Sequence, residues 1–195
     1  MQDNLDKIVI VGAGTAGVNA ASALRQQGFE GQVVILGAES VAPYQRPPLS
    51  KAFLAKDKPP AATLLKPGAF FPTNGITLEM GQRVVAIDRT AKAVLTKAGV
   101  HYPYDELILA TGSSARRLRC PGAGLSNVCY LRNLSDATRL HKSLRSAKSV
   151  AILGGGVIGL EVASAAVALD KQVTVIESAG RVMARVATPS ATNVI

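Results

Sequence analysis

Lys7-Ile8-Val9-Ile10-Val11-Gly12-Ala13-Gly14-Thr15-Ala16-Gly17 is the stretch on which the fold turns. Four β-branched residues in a row fit a strand buried on both faces, which is the habit of a parallel sheet. G-x-G-x-x-G follows at once. Gly12 allows a tight turn, Gly14 lets the backbone come close to a pyrophosphate, and Gly17 lets helix and strand pack closely. The helix that opens there offers unpaired N–H groups and the positive end of its dipole. Val18 to Gln27 is rich in Ala and Leu and reads as that helix, with Gly28 as a left-handed cap. Gln32 to Leu36 reads as a second buried strand, which completes one βαβ unit.

The pattern recurs 142 residues later, counting from Gly12 to Gly154. Ser149 to Leu153 reads as a strand and Gly154-Gly155-Gly156-Val157-Ile158-Gly159 as a glycine turn. Leu160 to Leu169 reads as a helix, and Gln172 to Ile176 as a strand ending in Glu177. A single G-x-G-x-x-G is a weak signal, but two in strand–turn–helix context are a strong one. Between them, Leu107 to Ala110 reads as a buried strand ending in Thr111-Gly112. Ile76–Glu79, Arg83–Asp88 and Ala93–Thr96 read as a small antiparallel excursion. Ala42 to Leu49 is a Pro-rich loop leading into a helix start near Leu49–Leu54. Ser135 is placed to cap a helix reaching Leu144, and 145–148 reads as a linker. The fold class expected is α/β, with two Rossmann-like dinucleotide-binding units. The first carries the antiparallel excursion, and the second is incomplete, with fewer than twenty residues after its second strand.

Composition narrows the function. The chain has 195 residues, 48% hydrophobic and 18% charged, which excludes a disordered chain. Two cysteines, Cys120 and Cys129, exclude a disulfide scaffold. An aromatic content of 4% without Trp argues against a base-stacking nucleic-acid surface. A formal charge of +9 suits an acidic partner or a phosphate-rich ligand, and equally a solvated basic surface. The longest uncharged apolar run, Ile8 to Leu24, is broken by glycines and follows Asp3 and Asp6 rather than a basic segment. Neither a membrane span nor a signal peptide is expected from it, and the low cysteine content favours the cytoplasm. No nucleic-acid or membrane partner and no metal site are expected, and nothing in the sequence sets an oligomeric state.

Two dinucleotide turns point to two coenzymes. Glu177 ends its strand 23 residues after Gly154, where a carboxylate accepts from a ribose 2′-OH and repels a 2′-phosphate. That favours NAD over NADP, although Arg181 lies close by. In the first unit the nearest carboxylate is Glu39, just beyond Gly37-Ala38. FAD with a nicotinamide nucleotide makes a hydride relay. A dithiol acceptor on this chain is not expected, because Cys120 and Cys129 stand nine positions apart. Each reads better as a buried, inert thiol.

Pro43-Tyr44-Gln45-Arg46-Pro47-Pro48-Leu49-Ser50-Lys51 resembles the loop of the flavin-dependent ferredoxin and rubredoxin reductases. These include the reductase components of aromatic-ring dioxygenases and of bacterial cytochrome P450 systems. Asp105–Gly112, Leu131-Arg132 and Gly154–Glu161 match the family in order and spacing, so the resemblance covers nearly the whole chain. It implies that Gly12, Ala13, Gly14, Thr15, Ala16 and Gly17 hold the FAD pyrophosphate and Glu39 the adenosine ribose. It implies further that Arg46 and Lys51 bind FAD, that Val84 meets the adenine through its backbone, and that Ala110, Thr111, Gly112 and Arg132 line the nucleotide. Gly154, Gly156, Val157, Ile158, Gly159 and Glu177 would bind NAD(H). Lys51 and Glu161 would form the catalytic pair beside the flavin, with Glu161 on the first turn of its helix. Without such a role, Arg46 and Lys51 are a solvated basic loop, and Glu161 is a favourable charge near a helix start.

The sequence departs from the family after Thr111-Gly112, where Ser114 and Ala115 stand in place of the usual Arg and Pro. Family members are also about twice as long. The domain boundaries expected are 1–145 for FAD binding and 146–195 for the first βαβ unit of an NAD-binding domain. The reading is a reductase passing electrons from NADH through FAD to a [2Fe–2S] ferredoxin or a rubredoxin, with Arg116, Arg117 and Arg119 as candidate docking charges. Its competitors are a non-catalytic fragment of such a reductase and another FAD/NAD(P)H oxidoreductase such as an NADH oxidase. Weak FAD retention is expected, because the family's segment that covers the flavin lies outside these residues.

Overall fold

Alternate residues of strand β1 (Lys7–Val11) point to opposite faces of a parallel sheet, and both faces are covered. The computed structural model describes residues 6–56 and 61–192. The chain divides into two compact units, Met1–Gln45 with Thr63–Ser113, and Arg46–Ala62 with Ser114–Ile195.

In the first unit β1 is followed by helix α1 (Thr15–Gln26) and β2 (Gln32–Gly37). Then come β3 (Ile76–Met80), β4 (Val84–Asp88), β5 (Ala93–Thr96), β6 (His101–Pro103) and β7 (Glu106–Leu109). The main sheet runs β3-β2-β1-β7 with every neighbouring pair parallel. Ile8 and Ile10 of β1 and Val33 and Ile35 of β2 pack with Val18 and Ala21 of α1 and with Phe71. On the opposite face Val9, Val11, Val34 and Leu36 meet Val94 of the antiparallel β4-β5-β6 sheet. Asp105 pins the start of β1: its Oδ2 accepts from the backbone N–H of Lys7 at 2.7 Å and of Asp6 at 3.1 Å. Arg25 ties the end of α1 to the chain around β2 and β3, donating to the carbonyls of Gly31, Asn74 and Gly75 at 2.8 Å each. Ile10 has no exposed surface. Ile10→Ala should therefore cost about 2–5 kcal/mol, read as a lower urea midpoint at unchanged m-value. A loss below about 0.5 kcal/mol, smaller than even Ile→Val costs at a buried site, would contradict this packing.

Several expectations need correction. Ile76–Met80 is not part of the antiparallel excursion. It joins the main sheet, parallel to β2, because Ile76 is buried in the same cluster as Ile35. The excursion consists of β4, β5 and the unforeseen β6, and it begins at Val84 with a register shift between Val84 and Ala86. Helix α1 starts at Thr15, inside the glycine turn, and Gly28 does adopt a left-handed φ of 81°.

In the second unit Pro47–Ser50 forms a 3-10 turn, with prolines at its first two positions where their fixed φ is favourable. A single helical turn, Ala52–Ala55, follows it. Helix α2 (Leu134–Ser146), β8 (Ser149–Leu153), helix α3 (Val157–Val167) and β9 (Gln172–Ile176) complete the second unit's main elements. β8 and β9 pair in parallel as a two-stranded sheet. Leu153 and Ile176, at their C-terminal ends, are exposed. Asn133, not Ser135, caps α2: it accepts from the N–H of Asp136 at 2.8 Å, and Asp136 accepts in return from Asn133 N–H at 3.3 Å. The helix runs two residues past the expected Leu144, to Ser146, so only the end of 145–148 is a linker. Among the described residues no helix is long and apolar enough to cross a membrane.

Candidate functional site

The first glycine turn lies between β1 and α1. Gly12 has φ +120°, and its N–H donates to Leu36 O at 2.9 Å, which fixes the turn to the end of β2. A Cβ on Gly12 would fall on the carbonyl of Ala110, and one on Gly17 would fall on the carbonyl of Gly12. A Cβ on Gly14 would meet nothing within 4 Å. Gly14, with φ −83° and ψ −173°, is the N-cap, and Thr15, Ala16 and Gly17 form a first turn with no acidic residue. The N-terminal end of α1 is thus open to an anion from the side of Gly14, a cradle that suits a pyrophosphate.

The remaining predicted residues of this unit sit on its loops, except Val84, which lies at a strand start. Ala13 packs on the end of β2, where a Cβ on Gly37 would lie 2.9 Å from the Cβ of Ala13. Glu39 follows β2, and Tyr44 donates its hydroxyl to Glu39 Oε2 at 2.6 Å. Ala110 follows β7 and donates to Val11 O at 2.8 Å, and Gly112 takes φ +69° after Thr111. Val84 opens β4, paired with Thr96. The sequence reading missed Tyr44, which is only 5% exposed.

The second glycine turn repeats the first. Gly154 has φ +111°, and its N–H donates to Ile176 O at 2.8 Å. Gly156 caps α3 with φ −83° and ψ −177°, and a Cβ on Gly159 would fall on the carbonyl of Gly154. Val157 and Ile158 open α3 and are exposed, and the first turn again lacks an acidic residue. Glu177 takes a different place from Glu39. It accepts from Gly155 N–H at 2.7 Å and from Ala179 N–H at 2.8 Å. These backbone donors, Ala179 first, hold its carboxyl below the usual glutamate range. Arg181 is turned into its own loop, donating to Ala184 O at 3.1 Å.

The second unit also gathers the residues of the Pro-flanked loop. Lys51 is ion-paired with Glu161 Oε1, and Ser50 donates to Glu161 Oε2 at 2.5 Å. Arg46 donates to Arg132 O at 2.8 Å, and Arg132 N–H donates to Asp136 of the α2 cap at 3.0 Å. Because α3 begins at Val157, Glu161 lies in its second turn rather than its first. The sequence reading missed Ser50, which is buried. The two thiols differ from expectation. Cys120 is exposed and Cys129 half-buried, because the chain from Ser114 to Leu131 contains no helix or strand to enclose them.

The Lys51 hydrogen bond, followed by that of Ser50, holds the Glu161 carboxyl below the ordinary range. A group depressed in the folded state stabilises above its unfolded pKa and loses that contribution as pH falls through the folded one. As pH falls from the ordinary glutamate range through the lowered folded one, Glu161→Gln should make urea stability fall less steeply with acidification than in the wild type. Equal slopes for the two proteins would sink this assignment.

A family model described as pyridine nucleotide-disulphide oxidoreductase matches residues 6–195. Rubredoxin-NAD(+) reductase of Pseudomonas putida is 57% identical over 188 residues, which is 96% of this chain and 49% of that protein. The structure of the ferredoxin reductase for the CYP199A2 system from Rhodopseudomonas palustris superposes with a TM-score of 0.92 at 41% identity, covering 96% of this chain and 46% of that one. The reductase–putidaredoxin covalent complex matches at 0.85 with 37% identity, covering 96% of this chain and 46% of that one. The chain spans about half the length of the curated relatives it matches.

Proposed function

The chain belongs to the pyridine nucleotide-disulphide oxidoreductase family, and from that premise we propose that it carries the nucleotide-binding machinery of an NADH-dependent flavoprotein reductase acting on a rubredoxin or a [2Fe–2S] ferredoxin. One observation carries the reading. Two glycine turns share the same N-cap dihedrals, the same strand-end hydrogen bond and the same steric demand for a third glycine. Such duplication suits two dinucleotides, FAD at Gly12–Gly17 and NAD(H) at Gly154–Gly159. The FAD-binding part would run over 1–145 and the NAD-binding unit from 146.

FAD, when bound, supplies the conversion of a two-electron hydride donor into single-electron steps. The protein's own residues bind and orient. The α1 N-terminus takes the pyrophosphate, and Glu39, held by Tyr44, accepts from a ribose hydroxyl. The family resemblance would give FAD contacts to Val84, Ala110, Thr111 and Gly112 of the first unit and, separately, to Arg46 and Arg132 of the second. Glu177 favours a free 2′-OH on the nicotinamide nucleotide, and Arg181 is already engaged with Ala184 O. Lys51, held in place by its ion pair with Glu161, would offer an ammonium to the flavin.

The acceptor follows from charge and from the relatives' names. The second unit holds fifteen Lys and Arg against five Asp and Glu, the first seven against eight. The net positive charge therefore resides in the second unit, which suits an acidic protein partner. Rubredoxin-NAD(+) reductase at 57% identity points the same way. The test supplies the FAD-loaded chain and NADH with rubredoxin, with a [2Fe–2S] ferredoxin, or with a disulfide acceptor. Reduction of an iron–sulfur protein well ahead of the disulfide supports the proposal. The reverse order rejects it in favour of a disulfide reductase.

A further inference from the structure

Ser50 ends the 3-10 turn that the two prolines set up, and it is 6% exposed. Its hydroxyl donates to Glu161 Oε2 at 2.5 Å, while Lys51 takes Oε1. The two carboxylate oxygens of Glu161 are thus divided between adjacent residues of one turn. Their holding powers differ. The Lys51 side chain is 54% exposed and sits on a flexible stem, and an exposed ion pair competes with water for its geometry. The Ser50 hydroxyl is short, buried and carried on a proline-fixed backbone.

We propose that Ser50 is the positioning residue of the pair, anchoring one oxygen of Glu161 so that the other stays turned to Lys51. The inference rests on the reductase reading only for its consequence in turnover. The anchoring itself is a property of this chain. Once the hydroxyl is gone, Glu161 keeps a single exposed partner, its carboxylate turns toward water, and Lys51 loses its fixed station. The same hydrogen bond favours the ionised carboxylate, so its removal also makes Glu161 easier to protonate.

The experiment compares the wild type with Ser50→Ala, Ser50→Gly and Ser50→Thr. Carboxyl carbon NMR follows the titration of Glu161 in the full chain without cofactor, with Glu161→Gln used to assign the signal. The expected result is about a tenfold rise in proton affinity, one pH unit, in the Ala and Gly variants, with Thr at the wild-type position. In the FAD-loaded chain, the acid limb of NADH-driven flavin bleaching moves up by the same amount in the Ala and Gly variants. An unmoved Glu161 midpoint in both variants overturns the proposal. So does a moved midpoint with an unmoved acid limb. If the wild-type chain takes up no FAD, the reductase reading falls, and the cofactor-free titration alone decides for or against Ser50.

Discussion

Gly14→Ala is expected to lower FAD affinity about 100-fold while leaving the fold intact, and Gly17→Ala to damage both. The difference lies in where each new methyl goes. At Gly14 the backbone has ordinary dihedrals and a Cβ would meet nothing within 4 Å, so the free protein accepts it. The only expected cost is a small one for replacing an N-cap glycine by Ala, within about 1 kcal/mol. That open space is where a pyrophosphate would approach, and losing about two charge-assisted hydrogen bonds there is worth roughly 3 kcal/mol, hence the factor of 100. At Gly17 the methyl falls on the carbonyl of Gly12, which is backbone and cannot swing aside. Helix and strand must separate, at about 1–3 kcal/mol or more. Flavin fluorescence quenching gives the affinities and thermal unfolding the stabilities. Unchanged FAD binding in Gly14→Ala would show that the first turn holds no pyrophosphate.

Lys51→Met should slow NADH-driven flavin reduction by about 10²–10³-fold, the usual loss when one preorganised electrostatic group is removed from a site. FAD uptake should change far less, because Lys51 is one of several proposed contacts. Glu161→Gln should have a smaller effect, since Ser50 can still hold the amide oxygen and the ammonium itself remains. The double variant should resemble Lys51→Met alone, since the two residues act as one unit. Stopped-flow bleaching of the flavin band checks all three. A Lys51→Met protein that is reduced at the wild-type rate would remove the pair from the mechanism.

The parts of this molecule that could be read from sequence are those whose signal is local. The β-branched run of β1 and its glycine turn declare a strand, a turn and a helix within twenty residues. The second copy does the same at 149–167. β3 could not be placed this way. Its alternation suits a parallel or an antiparallel neighbour equally, and the choice is made by Ile76 packing beside Ile35. β6 is three residues long and ends in Pro103, too short for any period to show. At α2, Asn133 and Ser135 are both good caps. Asp136 three residues after Asn133 was the available signal for the true one. The carboxylates Glu39 and Glu177 were legible from their place just after the second strand of each unit, and Glu161 from the resemblance of its glycine turn and helix to the family's. Their hydroxyl partners Tyr44 and Ser50 were not, because Ser50 and Glu161 meet across 111 positions of sequence and only folding brings them together.

The central claim is that one chain holds two nucleotides with separate tasks, and the visible spectrum of the purified protein tests it most directly. After incubation with excess FAD, the spectrum is recorded on the protein fraction, then again under anaerobic conditions with NADH. The account predicts a protein-bound flavin band that bleaches with NADH and much less with NADPH. A protein that shows no flavin band at saturating FAD, or a bound flavin that NADH leaves oxidised, would contradict it.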